Sequence, residues 1–355
     1  MNESISILEN DRQIGELPAE RFRLDTSTDV LSPNFRLDFN TARVPDGTLY
    51  SAASPGFLFH SHDDGRSWQR RLLTELAQGD WQSSDKWLGQ RIRGFGISGD
   101  DLLLLVDDTA SEQPGLSVAC SRDGGKTWEH AGRIDPSPFD RVAADASGFY
   151  CLPDGSILLS VQLSYVSETG KEEDLPEEKQ GIWSHIYRSQ DNGQTWSEKY
   201  PVGDQTCETQ LLLKQDGSML AVIRRQGNLP EGIWKTLFLS DSLDMGRTWE
   251  NLRQFSPEVG SCHGEALQLS DGRVILLYHK RYPYTDGDIR AHVSHDGGKT
   301  WEPQIYIVCK GHGYPGSVVL PDDTIVTVTG DEQMTENAKV IPPGHTAQTI
   351  RWQIT

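Results

Sequence analysis

The sequence predicts an all-β fold, a six-bladed β-propeller, and two sets of short repeats carry this prediction. Five copies of Ser-x-Asp-x-Gly-x-Ser/Thr-Trp each follow a short β-like run, and they start 60, 68, 53 and 52 residues apart. A period of this length suits one four-stranded sheet with its loops, the repeating unit of a propeller. The copies are SHDDGRSW from Ser61, SRDGGKTW from Ser121, SQDNGQTW from Ser189, SLDMGRTW from Ser242 and SHDGGKTW from Ser294.

Each copy of this motif has the composition of a hairpin turn. The Asp carboxylate can accept hydrogen bonds from backbone N–H groups of its own turn, and the Gly can adopt a positive φ. The Trp can wedge between neighbouring sheets. We therefore predict that the motif is a structural staple and not a catalytic signature.

A second repeat consists of strand-turn-strand signals, and six of them are present. The sixth unit lacks the Trp motif because the sequence ends with HTAQTIRWQIT, so we expect the N-terminal run SISILEN to supply its outer strand. A ring closed in this way has no free sheet edge. The signals are VPDGTLYS from Val44, ISGDDLLLLV from Ile97, LPDGSILLSV from Leu152, KQDGSMLAVI from Lys214, LSDGRVILLY from Leu269 and LPDDTIVTVT from Leu320.

The length of the chain fits one closed ring. The 355 residues could hold two average domains, but the repeats run from about residue 36 to the end. We therefore predict a single propeller domain over 1–355. Its blades are expected at about 31–75, 88–135, 140–203, 205–256, 260–307 and 311–355, with an N-terminal closing strand at 4–10.

Composition excludes several classes of partner. The chain has 33 basic and 52 acidic residues, a net charge of −19, which argues against nucleic acid as a partner. No apolar run approaches the roughly 18 residues of a membrane helix, so no membrane partner is expected. The start MNESISILEN is too polar for a signal peptide, which predicts a cytoplasmic protein; a secreted protein with a removed signal also fits.

The five cysteines are scattered and contain no CxxC pair. They indicate neither a disulfide framework nor a thiolate zinc site, and we expect reduced thiols in the core. No ligand motif in the sequence calls for a metal ion, and no cofactor is expected.

The six turns provide a ruler for locating a pocket. The start of each inner strand and the end of each second strand share the face on which a propeller's central pocket opens. Because side chains alternate with a period of two, equal offsets from the turn share a face. The count starts from the Asp of each turn, or from Gly99 in the second unit. Eight residues before it stand Asp38, Arg91, Ala146, Glu208, His263 and Tyr314, and eight after it stand Ser54, Asp107, Gln162, Arg224, His279 and Gly330.

At these positions the chain resembles the sialidase (neuraminidase) superfamily and its BNR or Asp-box repeat proteins. CETQLLLKQDGSMLAVIRR supplies Glu208 and Arg224 in the order and offset of the family's Glu and Arg, and HGYPGSVVLPDD supplies Tyr314 at the opening of the sixth blade. The resemblance implies that Tyr314 is the nucleophile on the anomeric carbon. It implies that Glu208 takes the phenol proton, and that the anomeric configuration is retained.

The resemblance also implies a general acid and three arginines that hold a substrate carboxylate. The loop that carries the family's acid is short here, SAASPGF, and contains no Asp, so Asp38 and Asp107 are alternative acids. The histidines are expected to contact substrate and not a metal. The substrate-binding candidates are Arg36, Arg91, Arg224, His263, His279, Arg281 and Arg290.

These residues predict a glycosidase, a sialidase-like exo-hydrolase that removes a terminal carboxylated sugar, either sialic acid or a related ulosonic or uronic acid. Two alternatives stay open. A polysaccharide lyase would use Tyr314 or a His to abstract the C5 proton of a uronate, and the two histidines at pocket offsets motivate it. A non-catalytic carbohydrate-binding propeller is motivated by the missing acid loop.

Overall fold

The protein is described by a computed structural model, which covers most of the chain. The described residues are 2–25, 39–53, 56–73, 92–108, 115–144, 147–203, 205–229, 232–255, 260–281, 287–310, 313–330 and 346–354. Within these ranges the regular structure is β-strand, with two 3-10 helices at Glu172–Asp174 and Glu177–Lys179. No helix in this described part is long and apolar enough to cross a membrane. The all-β prediction is confirmed.

The described chain contains 26 strands. The first thirteen are β1 (Asn2–Glu9), β2 (Arg12–Asp25), β3 (Phe39–Arg43), β4 (Leu49–Ala53), β5 (Phe57–Ser61), β6 (Gln69–Leu72), β7 (Ile92–Ser98), β8 (Asp101–Asp108), β9 (Gly115–Ser121), β10 (Glu129–Arg133), β11 (Arg141–Ala143), β12 (Ser147–Cys151) and β13 (Ile157–Ser164). The others are β14 (Trp183–Ser189), β15 (Glu198–Pro201), β16 (Thr206–Leu213), β17 (Met219–Leu229), β18 (Gly232–Ser242), β19 (Glu250–Gln254), β20 (Ser261–Gln268), β21 (Val274–Lys280), β22 (Asp288–Ser294), β23 (Ile305–Lys310), β24 (Gly316–Val319), β25 (Ile325–Gly330) and β26 (Thr346–Trp352).

The strands belong to two compact units. Unit 1 comprises Met1–Leu73, Lys214–Asp216 and Glu258–Thr355, and unit 2 comprises Thr74–Leu213 and Gly217–Pro257. In unit 2, chain neighbours pair antiparallel in three four-stranded runs, β7 to β10, β12 to β15 and β16 to β19. The number of blades and the single-domain boundaries stay predictions.

Two of the runs in unit 2 are joined through their first strands. β7 and β12 pair in parallel, with Ser147 opposite Gly94 and Phe149 opposite Gly96. A Cβ atom on Gly94 would lie 2.3 Å from the Ser147 carbonyl oxygen, and one on Gly96 would lie 2.8 Å from that of Phe149. The glycines of the sequence IRGFG therefore permit this close approach of two backbones.

In unit 1, a hairpin from the N-terminus links two other runs. β2 pairs with β26 and so supplies the fourth strand beside β24, β25 and β26, while β1 pairs with both β2 and β23. The N-terminal segment thus covers the edge of the last run, as expected. The covering strand is Arg12–Asp25 instead of 4–10, because the segment folds back as a hairpin and not as one strand.

Each copy of the Asp motif forms the same hydrogen-bonded turn. In the copy from Ser121, Asp123 Oδ1 accepts from the N–H groups of Lys126 at 3.0 Å and Thr127 at 2.9 Å, and Oδ2 accepts from the Thr127 hydroxyl at 2.7 Å. Gly125 has a φ of 79° and donates its N–H to Ser121 Oγ at 2.8 Å. Equivalent backbone bonds are made by Asp63, Asp191, Asp244 and Asp296. The turn chemistry expected from the sequence is confirmed at these positions.

These turns keep their carboxylates ionised. Partial burial favours the protonated acid and raises its pKa, but the hydrogen bonds from the turn outweigh this and lower the pKa of Asp63, Asp123 and Asp296 to about 2, from 3.8. A lowered pKa means that the turns stabilise the fold above pH 3.8 and lose this contribution as the pH falls towards 2.

The Trp of the motif packs between neighbouring sheets. Trp68 ends the first copy and contacts two clusters, one around Phe57 and Val328 and one around Leu49 and Val326. Trp196 packs in the same way in the core that β7 to β10 share with β12 to β15. At these two copies the motif therefore fastens its turn to the adjacent sheet, as the staple predicted from the sequence would.

The five cysteines form no disulfide, and four of them are buried. The expectation of a core thiol is wrong for Cys151, which is exposed. Cys151 is the last residue of β12, directly before the Leu152 turn. No cysteine spacing in the sequence separates this position from the buried ones.

We expect Asp123→Asn to destabilise the protein by about 1 kcal/mol at neutral pH, because the amide cannot accept from both Thr127 groups. The difference from wild type should shrink at about pH 3, where the wild-type carboxylate begins to take up a proton. Chemical denaturation at both pH values measures this. Asp64→Asn, at a variable position of the motif, is the matched control, and a deficit that does not change with pH would contradict the assignment.

Candidate functional site

A β-bulge near the start of β16 brings together two residues singled out from the sequence. Thr206 pairs with Arg225 and Thr209 pairs with Ile223, so Cys207 and Glu208 stand together opposite Arg224. A bulge of this kind bends the strand and redirects a side chain. The bulge interrupts the alternation of side chains at Glu208, which is the one acidic residue of β16.

Glu208 and Arg224 form an ion pair inside unit 2. Arg224 Nη1 donates to Glu208 Oε1. The Glu208 side chain is 4% exposed and the Arg224 side chain is 7% exposed. The Cys207 thiol contacts the Arg224 carbonyl oxygen at 3.4 Å, which holds the same stretch of β17. Since both charges have left water, each depends on the other for compensation. The structure therefore brings together two residues that stand at equal offsets on either side of the turn Asp.

The corresponding bulge in β20, in unit 1, carries His263. Cys262 pairs with His279 and Gly264 pairs with Tyr278, which leaves His263 as the extra residue with a φ of 37°. Its imidazole stacks on the phenol of Tyr314, with ring centroids 4.3 Å apart and planes 6° apart. A non-glycine residue at positive φ is strained, and such strain is characteristic of functional sites.

Tyr314 is anchored at both its ring and its backbone. Its side chain is fully buried, and its carbonyl oxygen accepts from the Phe39 N–H of β3 at 3.1 Å. The stacked imidazole of His263 fixes the plane of the phenol ring. Tyr314 and His263 stand at the same offset from the turns of neighbouring hairpins, so the ruler predicted their shared level.

In the hairpin of β7 and β8 the residue at this level is Arg93, which the ruler missed. Ser98 pairs with Asp101 across a two-residue turn, whereas Leu213 and Met219 are joined through five residues. The shorter turn moves the equivalent position from Arg91 to Arg93. The bulge confirms this shift, since Arg93 is the extra residue between the Ile92 and Gly94 pairings.

Asp107, one of the two predicted acids, is the ion-pair partner of Arg93. Arg93 Nε donates to Asp107 Oδ1 at 2.7 Å, and Nη1 donates to the Ala144 carbonyl oxygen at 3.3 Å. The two side chains are 21% and 23% exposed, so the pair keeps contact with solvent. Asp107 Oδ1 is therefore occupied by a guanidinium of the protein itself.

The remaining candidates lie in unit 1. Arg290 makes a two-point contact with Asp288, through Nε at 2.6 Å and Nη2 at 3.1 Å. His279 is buried on β21 opposite Cys262, and Arg281 follows that strand, donating its N–H to the Gly260 carbonyl oxygen at 2.8 Å. Three further candidates lie outside the described residues: Arg36, Asp38 and Arg91.

Glu265, two residues after His263 on β20, is a further polar residue that the sequence ruler did not single out. Its carboxylate accepts from the Ser317 N–H at 3.1 Å and from the Ser317 hydroxyl at 2.6 Å. Desolvation raises the pKa of Glu265 to about 7, although both hydrogen bonds act in the opposite direction. A carboxyl group with a pKa near neutrality is typical of acid–base sites. Among the described residues, no three His, Cys, Asp or Glu side chains are grouped to hold a metal ion.

The sequence between residues 95 and 328 matches the model of a protein family described as BNR repeat-like domain. The chain belongs to this family. The match covers the hairpins that carry Glu208, Arg224, His263 and Tyr314, and it confirms the sialidase-like BNR resemblance seen in the sequence.

Curated and solved relatives agree with this family. The chain is 22% identical over 246 residues to a sialidase of Paraclostridium sordellii, a match over 66% of this chain and 48% of that protein. The chain thus spans about half the length of that relative. Among solved structures it is similar to the GH93 alpha-L-arabinofuranosidase of Fusarium graminearum, with a TM-score of 0.66 and 13% identity over 93% of this chain and 98% of that one. A Hadza microbial sialidase matches with a TM-score of 0.65 and 16% identity over 96% of this chain and 70% of that one.

We expect the Glu208–Arg224 pair to be strongly coupled in stability. Arg224→Met leaves a buried carboxylate without its cation and should lower the free energy of unfolding by about 3 to 5 kcal/mol. The double variant Glu208→Leu, Arg224→Met should lose less than the two single variants together, because no isolated charge remains buried.

Chemical denaturation of wild type, Glu208→Leu, Arg224→Met and the double variant completes this double-mutant cycle. The control is Asp241→Asn in the same sheet, which breaks the Asp241–Arg253 pair at 20% and 27% exposure. A pair with that much exposure should cost about 1 kcal/mol or less. Additive single effects at Glu208 and Arg224 would contradict a coupled buried pair.

Proposed function

We propose that the protein is an exo-acting glycoside hydrolase that removes a terminal carboxylated sugar, sialic acid or a related ulosonic or uronic acid. The observation that carries the proposal is the buried Glu208–Arg224 contact at the bulge of β16. Apolar strand residues would give the sheet equal or better stability, so a bulge that buries a carboxylate and a guanidinium points to chemistry. The sialidases among the relatives support the same class of reaction.

In the proposed reaction each role is taken from the family resemblance. Tyr314 attacks the anomeric carbon, and Glu208 takes the phenol proton, because a neutral phenol is a weak nucleophile without a base. Stacking on His263 reduces the freedom of the Tyr314 ring and so lowers the entropy cost of attack. Arg224 holds the carboxylate of the sugar through the planar guanidinium fork. Asp38 and Asp107 are the two candidate acids, and Asp107 contacts Arg93.

A second candidate is a hydrolase for a neutral terminal sugar. Three arginines that could hold a substrate carboxylate already contact carboxylates of the protein: Arg93 with Asp107, Arg224 with Glu208, and Arg290 with Asp288. Each internal acid offsets the positive charge that would attract an anionic sugar. The structural likeness to an arabinofuranosidase points to the same alternative.

A substrate panel separates these candidates. We expect the purified protein to release sugar from an aryl sialoside, a Kdo glycoside or an aryl glucuronide, and to lose activity when the sugar carboxylate is replaced by an amide. Release only from an aryl arabinofuranoside would favour the neutral-sugar candidate. Ultraviolet absorbance from an unsaturated product would identify a lyase, and glycan binding without turnover would identify a binding protein.

We expect Tyr314→Phe and Glu208→Gln each to lower kcat by about 10² to 10⁴-fold on the sugar that the panel identifies, since nucleophile and base act in the same step. Tyr200→Phe is the matched control. Its hydroxyl donates to Glu198 at 2.6 Å on β15, outside the proposed machinery. Full activity of Tyr314→Phe would refute the proposed mechanism.

A further inference from the structure

A chain of hydrogen bonds in unit 1 ends on the carboxylate of Glu265. Trp352 Nε1 donates to Thr327 Oγ1 at 3.2 Å, and the Thr327 and Ser317 hydroxyls lie 3.1 Å apart. The Ser317 hydroxyl then donates to Glu265 Oε1 at 2.6 Å. The Ser317 hydroxyl has one proton and two acceptors within reach, Glu265 Oε1 and Thr327 Oγ1, and the shorter contact is the one to the carboxylate.

Glu265 receives a second bond from the backbone of the same residue. The Ser317 N–H donates to Glu265 Oε2 at 3.1 Å, so both carboxyl oxygens are bound by one residue of β24. The raised pKa of Glu265 reflects removal of this carboxyl from water. The two Ser317 donors therefore replace its hydration, and they tie β20 to β24 across the boundary between two hairpins.

The stacked pair of His263 and Tyr314 lies beside this tie, with His263 on β20 and Tyr314 two residues before β24. Glu265 follows His263 by two residues on β20, and Ser317 follows Tyr314 by three residues, at the start of β24. One contact is a ring stack and the other a two-point hydrogen bond, and they lie at successive levels of the two strands. Loss of the hydrogen bonds between Glu265 and Ser317 frees β24 to shift relative to β20, and the stack of His263 and Tyr314 must shift with it.

We propose that Glu265 is a positioning residue for Tyr314. Its carboxyl group holds the start of β24 against β20 and thereby keeps the phenol ring parallel to the imidazole of His263. The importance of this position for catalysis rests on the role proposed for Tyr314. The hydrogen-bonded tie itself does not, and it can be tested without a substrate.

The test compares two replacements of Glu265. Glu265→Met keeps the length of the side chain but removes both acceptors. Glu265→Gln retains an amide oxygen for the Ser317 N–H, and the Ser317 hydroxyl can rotate to accept from the amide group, so the tie survives without the charge. Amide hydrogen exchange of the segment 313–319, measured by mass spectrometry, reports whether the start of β24 is held.

We expect exchange in 313–319 to be about tenfold faster in Glu265→Met and close to wild type in Glu265→Gln. Glu250→Met, an exposed glutamate of β19, is the control for the substitution itself. Unchanged exchange in Glu265→Met would overturn the proposal, as would equal acceleration in both variants. If Glu265→Met fails to fold, Ser317→Ala removes the hydroxyl donor alone, and it should accelerate exchange in the same segment.

A second readout applies once a sugar substrate is known. Glu265→Met should then lower kcat by about tenfold with little change in KM, because a displaced nucleophile affects the reaction more than binding, and Glu265→Gln should restore kcat. An unchanged kcat in Glu265→Met would overturn the positioning role. Absence of turnover in wild type would instead count against the proposed function and leave the exchange result to stand by itself.

Discussion

Three candidate site residues depend on the same backbone constraint. Each stands at a β-bulge, an extra residue near the start of the first strand of a hairpin. In β7, β16 and β20 this bulge presents Arg93, Glu208 and His263. A regular strand would continue its alternation and direct the next side chain to the opposite face. The bulge therefore permits a charged or aromatic group at this level while the rest of the strand stays in the core.

A bulge is tolerated only where the surrounding structure holds the strand firmly. At the far end of the hairpins, the Asp motifs provide this hold, because a single carboxylate gathers two backbone N–H groups and a hydroxyl while its Trp packs against the adjacent sheet. The strain at His263, of order 1 to 3 kcal/mol for such a φ, is distributed over a strand pair that is almost wholly buried. The structural repeats thus join the third and fourth strands of a four-stranded run, whereas Glu208 and Arg224 stand on the first and second.

Local turn chemistry could be predicted from the sequence, and so could the level at which site residues stand. The five-residue turns made counting reliable for Glu208, Arg224, His263 and Tyr314, and counting failed at Arg91 because a Gly-Asp pair gives a two-residue turn there. Contacts between distant segments could not be counted. Ser317 lies 52 residues from Glu265, and the N-terminal hairpin meets β26 through backbone pairing, so neither leaves a local pattern in the chain.

The ion pairs also bear on how such a protein would recognise a sugar. With a net charge of −19, the chain as a whole repels an anionic ligand at long range. Arg93, Arg224 and Arg290 each contact a carboxylate of the protein, so the attraction that each exerts at a distance is small as well. Selectivity for a carboxylated sugar therefore has to come from the directional geometry of the guanidinium at short range, whereas a neutral sugar meets no such opposing field. This difference makes the replacement of the sugar carboxylate by an amide the decisive chemical comparison for the site.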